Sequence, residues 1–76
     1  MSKLLELLGQ RIKELRNDRG MSQEELGTAA EISRDYVGQI ERGKYAMTVA
    51  VLVRIAKALG TDGWAILQHA ERKAQK

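Results

Sequence analysis

Apolar residues recur along the chain at steps of three and four, the spacing that lines one side of a helix. Leu5, Leu8, Ile12 and Leu15 make the first such row, which predicts a helix over residues 3–18. Leu4 and Leu7 widen its apolar stripe beyond what one core contact needs, which suggests a second contact surface. A short helix over 22–30 follows, with Leu26, Ala29 and Ala30 as its apolar side. The third, over 33–42, turns Val37 and Ile40 inward, with Ile32 just before it. The fourth, over 48–59, carries Leu52, Ile55, Ala56 and Leu59 at i, i+3, i+4 and i+7. In the same stretch Val49, Val51, Val53 and Ile55 alternate as in a strand. A start signal at Thr48 and a stop signal at Gly60 favour the helix. The fifth helix, over 62–73, sets Trp64, Leu67 and Ala70 on one side, with Ile66 nearby.

The polar punctuation supports these boundaries. Gly20, Gly43 and Gly60 each follow a helical stretch, where a left-handed terminating residue is expected. Ser22, Ser33, Thr48 and Asp62 stand where a side-chain oxygen can cap a helix start, and Ser22 with Glu25 matches a capping box. The expected fold is all-α, with five helices and neither repeat nor linker. Residues Glu71 to Lys76 are polar and are expected to fray.

Composition narrows the chemistry. With 76 residues there is room for one domain, read here as residues 1–76, whose modest core invites help from a partner. There is no cysteine, and His69 is the one histidine, so disulfides, thiolate metal sites and histidine clusters are excluded. Proline and phenylalanine are absent, and one Trp and two Tyr leave little for a sheet. A net charge of +3 is compatible with a polyanion partner without demonstrating one. The apolar run from Met1 to Leu8 is short and contains Glu6, so it is neither a signal peptide nor a membrane span, and a cytoplasmic location is expected. No phosphate loop, nucleophile elbow or metal spacing points to an enzyme. Glu24 with Glu25 is a helix-start pair favoured by the dipole. No cofactor, small-molecule ligand or membrane partner is expected.

The second and third helices, joined by a tight turn, have the size of a helix-turn-helix. A helix fits the DNA major groove, and a second helix must hold it there. Gly27 and Ala30 offer the clearance such packing needs. Opposite Val37 and Ile40, Arg34, Gly38 and Arg42 form one outward row, and Asp35 and Gln39 a second. Arg can fork onto guanine, Gln onto adenine, and Asp can accept from cytosine. From the residues alone, Arg34 and Asp35 are better explained as solvated surface charges, the usual fate of charges on a helix. Gly38 costs roughly 1 kcal/mol against alanine, through close approach to DNA or through mere tolerance. Tyr36 bonds a phosphate or packs its ring at the helix edge, and these remain even.

The runs Leu8-Gly9-Gln10-Arg11-Ile12, Leu15-Arg16, Gly20-Met21-Ser22-Gln23-Glu24-Glu25-Leu26, Ile32-Ser33, Val37, Ile40-Glu41-Arg42-Gly43 and Ile55-Ala56-Lys57-Ala58-Leu59-Gly60 carry a resemblance. Together they resemble the DNA-binding domain of phage repressor and Cro type helix-turn-helix proteins, over about residues 8–67. The small size and Arg34-Asp35-Tyr36-Val37 are similar to the controller proteins of restriction–modification systems. The resemblance implies a five-helix lambda-repressor-like fold and a sequence-specific transcriptional regulator bound to double-stranded DNA. It implies base reading by Arg34, Asp35 and Gln39. It implies phosphate contacts by Gln23, Arg42, Lys44 and Tyr45, with Tyr36 a further candidate and Ser33 both capping its helix and touching DNA. Arg16 and Glu41 match a structural salt bridge. Three positions depart from the pattern: Glu31 stands where Gly or Asn is frequent in the turn, Gly27 replaces Ala, and Met47 replaces a proline. A left-handed Glu31 costs roughly 1 kcal/mol or more.

One recognition helix reads few base pairs, so a homodimer on a near-palindromic operator is expected, its two recognition helices roughly 34 Å apart. Trp64, Ile66 and Leu67 are the first interface candidates, although a lone Trp64 at helical spacing also reads as core. Leu4 and Leu7 come next. Occupancy near a promoter blocks RNA polymerase or recruits it. The competing class is a protein-interaction module of the same fold, antitoxin-like or an adaptor, which an apolar outer face on the third helix would favour. Arg34, Gln39, Arg42 and Lys44 favour DNA.

Overall fold

The four expected caps all accept a backbone N–H three residues on. Ser22 Oγ accepts from Glu25 at 3.0 Å, Ser33 Oγ from Tyr36 at 3.0 Å, Thr48 Oγ1 from Val51 at 3.1 Å and Asp62 Oδ1 from Ala65 at 2.8 Å. Glu25 returns the contact by accepting from the Ser22 N–H at 2.8 Å, which completes the capping box. A cap stands outside its helix, so the helical spans begin one residue later than the patterns suggest. The computed structural model describes residues 3–75 and contains α1 (Lys3–Asp18), α2 (Gln23–Ala30), α3 (Arg34–Glu41), α4 (Val49–Ala58) and α5 (Gly63–Ala74). Among the described residues there is no strand, so the alternation in α4 is helical. Met1, Ser2 and Lys76, which belong to the expected domain span and to the expected frayed end, lie outside the described residues. Residues Glu71 to Ala74, expected to fray, are helical.

Four helices end the same way. Met21 N–H donates to Arg16 O, Ile32 to Gly27, Lys44 to Gln39 and Thr61 to Ala56, each the long bond of a Schellman turn. Three of these turns use a glycine at positive φ: Gly20, Gly43 and Gly60. The fourth uses Glu31 at φ 62°, the left-handed glutamate that the pattern implied. Gly27 gives the α2–α3 clearance, since a Cβ there would lie 2.7 Å from the Ile32 carbonyl oxygen.

All five helices feed one core: Leu8, Ile12 and Leu15, Leu26 and Ala30, Val37 and Ile40, Val51, Ile55, Ala56 and Leu59, Ile66 and Ala70. Helix α1 lies against α3 and α5, α2 against α3 and α4, and α4 against α5. Several positions depart from the pattern. Ala29 is exposed and Leu5 is half-buried. In α4 the buried row runs through Val51, and Leu52 is only half-buried. In α5 the core face is Ile66 with Ala70, one turn apart. Ile66 is 1% exposed, so it is a core residue and cannot form a subunit interface as expected. Trp64 lies two residues away, about 200° around the helix, and is 64% exposed rather than core. Leu4 and Leu7 pack half-buried against the core.

His69 sits half-buried on α5 beside Arg11 and Glu14 of α1 and near Arg72 and Lys73. Burial first, then Arg11, Lys73 and Arg72, push its pKa below the ordinary 6.5, and Glu14 opposes them. The unfolded chain therefore takes up this proton more readily than the folded one. The penalty is absent above about pH 6.5 and grows as the pH falls toward the depressed folded value. The thermal unfolding midpoint should drop between about pH 7.5 and 5.5, and His69→Gln should flatten that slope. An equally steep slope in the variant would assign it to other groups.

Candidate nucleic-acid interface

The outer side of α3 begins at its cap. Ser33 uses its hydroxyl to close the first turn, and Arg34 and Asp35 project from that turn with side chains 66% and 87% exposed. Their nearest charged atoms are 4.0 Å apart, and an ion pair so exposed contributes little. One turn on, Gln39 is half-buried and Arg42 exposed. Lys44 and Tyr45 follow in the loop and are exposed, Tyr45 by 53%. Two open depressions run along this side. One, of about 160 Å³, is lined by Gln23, Arg34, Asp35, Gly38, Gln39 and Arg42. The other, of about 400 Å³, is lined by Gln39, Arg42, Lys44 and Tyr45. They share Gln39 and Arg42, so the surface is one strip with three cations, a carboxylate and two amides.

Gly38 does not belong to the exposed row as expected. It is buried beneath Gln23 and Arg42: a Cβ there would lie 3.3 Å from Arg42 Nη1 and 3.7 Å from the Gln23 amide. The space a side chain would take is used by two of the chain's own polar groups. Tyr36 is half-buried and packs against the core.

Behind the strip lies a buried ion pair. Arg16 Nε donates to Glu41 Oε2 at 2.7 Å and its Nη2 to Oε1 at 3.1 Å, a two-pronged contact between α1 and the end of α3. Its Nη1 donates to the Met21 carbonyl at 2.8 Å, which ties in the α1–α2 turn. Arg16 is 8% exposed and Glu41 6%. The hydrogen bond to Glu41 raises the Arg16 pKa further, against desolvation, so the guanidinium stays charged. Gln23 Nε2 donates to Glu41 Oε1 at 3.1 Å, which brings the first residue of α2 into the same cluster. The Arg16–Glu41 pair was legible in the sequence, and its extension to Gln23 was not.

Two further residues escaped sequence reading. Gly9 lets α1 cross the end of α3, because a Cβ there would lie 2.7 Å from the Glu41 carbonyl oxygen. Arg54 of α4 donates from Nε to the Ala30 carbonyl at 2.9 Å. The partners are 24 residues apart, and no local pattern marks such a contact.

Residues 7–65 match the helix-turn-helix domain family. The chain belongs to this family. The helix-turn-helix motif within it is α2 and α3 with the turn at Glu31, packed against α4 and α1. A curated relative, the HTH-type transcriptional regulator RamB of Mycobacterium tuberculosis, is 47% identical over 55 residues, which are 72% of this chain and 12% of RamB. The chain thus spans about an eighth of that relative's length. Among solved structures, the restriction-modification controller protein C.AhdI from Aeromonas hydrophila aligns with a TM-score of 0.80 and 35% identity over 82% of this chain and 94% of that one. C.Esp1396I bound to a 25 base pair operator site aligns with a TM-score of 0.86 and 29% identity over the whole of both chains.

Replacing Arg16 with Met should cost this helix-turn-helix chain about 3–5 kcal/mol, because it leaves the Glu41 carboxylate buried without its cation. Urea unfolding measures it, and a loss below about 1 kcal/mol would mean that the pair behaves like a surface salt bridge.

Proposed function

We propose that this chain is a sequence-specific transcriptional regulator of the controller-protein type that binds a near-palindromic operator as a homodimer. The observation that carries the reading is the solvent-facing strip along α3, with Arg34 and Asp35 open to a partner and Gln39 between them and the loop cations. In the proposed complex Arg34, Asp35 and Gln39 read base edges. Arg42, Lys44 and Tyr45 meet phosphates, as does the remaining N–H of the Gln23 amide. Ser33 closes its helix at the same edge, and Tyr36 supports the strip from the core side. An apolar face on α3 would have favoured the protein-interaction alternative, and the polar strip speaks against it.

The operator bound by C.Esp1396I is 25 base pairs long, roughly 85 Å of duplex. The eight residues of α3 extend only about 12 Å, which favours more than one copy on such a site. An apolar groove of about 240 Å³ between α4 and α5 suits a second copy of the chain. It is lined by Val49, Leu52, Val53, Gly63, Trp64 and Leu67. Val49 is 78% exposed and Val53 40%, and an exposed Trp is the side chain most often found at the energetic centre of an interface. Trp64 and Leu67 therefore stay in the proposed interface, and Val49, Leu52 and Val53 replace Ile66. The proposed site of action is the cytoplasm, with residues 1–76 working as one DNA-binding unit. Occupancy near a promoter then blocks or recruits RNA polymerase.

Selection of bound duplexes from random DNA should return a two-fold symmetric site. On that site Arg34→Ala should cost roughly 1–3 kcal/mol per half-site and relax one base position. An equal loss on all sequences would make Arg34 a phosphate contact, and no enrichment at all would defeat the reading. Wild-type affinity should fall steeply with salt. Trp64→Glu should shift the chain to monomer in sedimentation with helicity retained. A wild-type chain that is monomeric at high micromolar concentration would remove the dimer from the proposal.

A further inference from the structure

Ala30 ends α2 and is fully buried, so its carbonyl oxygen is shut off from water. The Schellman turn at Glu31 uses the carbonyls of Gly27 and Thr28 and leaves that of Ala30 unmet. Among the described residues no backbone N–H in the turn reaches it, and the donor it receives is Arg54 Nε at 2.9 Å. A buried carbonyl without a donor is costly, so this bond holds the turn in place. Arg54 is no part of the DNA-facing strip. It follows Leu52 and Val53, which line the apolar groove, and Ala30 is three residues before the Ser33 cap of α3.

We propose that Arg54 is the positioning residue that sets the angle between the dimer groove and the recognition helix, and so the half-site spacing the dimer accepts. The inference rests on the dimeric operator reading above. One end of the link is the rigid helix that carries the groove. The other is the left-handed turn from which α3 departs. In a two-fold dimer any change in that angle is applied twice, once per subunit, and alters the distance between the two recognition helices. Successive half-sites on one face of the duplex sit one helical turn apart, and adding a base pair displaces them both along and around the axis. Discrimination against the altered spacing therefore measures how stiffly the link is held.

Two variants of equal charge separate the hydrogen bond from the cation. Gln places an amide nitrogen at the same distance along the side chain as Arg Nε, and Met matches the length without a donor. The probes are the duplex selected by the wild-type chain, the same duplex with one base pair inserted at its centre, and a random duplex. The wild-type chain should prefer the selected duplex to the inserted one. Arg54→Met should lower that preference roughly tenfold, while sedimentation still reports dimer and affinity for the random duplex is unchanged. Arg54→Gln should keep the preference to within about twofold.

If Arg54→Met does not fold, the double variant with Glu31→Gly relieves the left-handed strain without giving Ala30 a donor, and it should show the same loss. A folded, dimeric Met variant that keeps full spacing preference overturns the inference and leaves the dimeric reading standing. The double variant keeping that preference does the same. A wild-type chain that is monomeric, or indifferent to the inserted base pair, overturns the dimeric reading and this inference with it.

Discussion

The orientation of the α3 surface depends on a charge pair that solvent hardly reaches. Arg16 and Glu41 lie at the junction of α1, α3 and the turn between α1 and α2, and each is less than a tenth exposed. Removing two ions from water is expensive, and their mutual attraction repays it only when the remaining donors and acceptors are also satisfied. Here the surplus guanidinium nitrogen meets the Met21 carbonyl, and the carboxylate also takes a hydrogen bond from Gln23. The net gain in stability is small for such a pair, whereas loss of one partner alone is costly. A helix of two turns cannot fix its own direction by apolar contact alone. Val37 and Ile40 hold it to the core, and Glu41 stops it rolling about that contact.

Helix α4 carries apolar residues on two sides, and this divides its work. Val51, Ile55, Ala56 and Leu59 complete the core, while Val49, Leu52 and Val53 remain at the surface beside Trp64 and Leu67. A surface helix with a single task needs only one stripe. In the second stripe Leu52 packs half-buried against the core while Val49 and Val53 stay exposed, and the same helix reaches back through Arg54 to the end of α2. Apolar exposure and long-range anchoring thus meet on ten residues.

Much of this was legible in the sequence because it is local chemistry. Ser22, Ser33, Thr48 and Asp62 act on N–H groups three residues away, and Gly20, Gly43 and Gly60 adopt a conformation that most side chains avoid. The helix rotations were less legible. In α5, Ile66 and Leu67 are neighbours of similar apolarity, and the packing of α1 and α4 against the helix decides which turns inward. In α4, valine or leucine at four of the first five positions supports more than one phase. The roles of Gly38 and Arg54 were not legible, because Gln23 over the first and the Ala30 carbonyl at the second come from another helix. The strip itself was visible as residue types, and its depth along Gln39 and the contact of Gln23 with Glu41 needed three dimensions.

The Gln23 contact restricts what the chain tolerates there. A carboxylate accepts and never donates, so the amide atom that faces Glu41 at 3.1 Å must be the nitrogen. The group cannot flip end for end, as an exposed carboxamide can. Hydrolysis of this one amide to an acid would set two negative charges against each other at the root of α2, and turn the innermost contact of the face from attraction into repulsion. The position therefore discriminates between two side chains of nearly identical shape by a single proton-bearing atom.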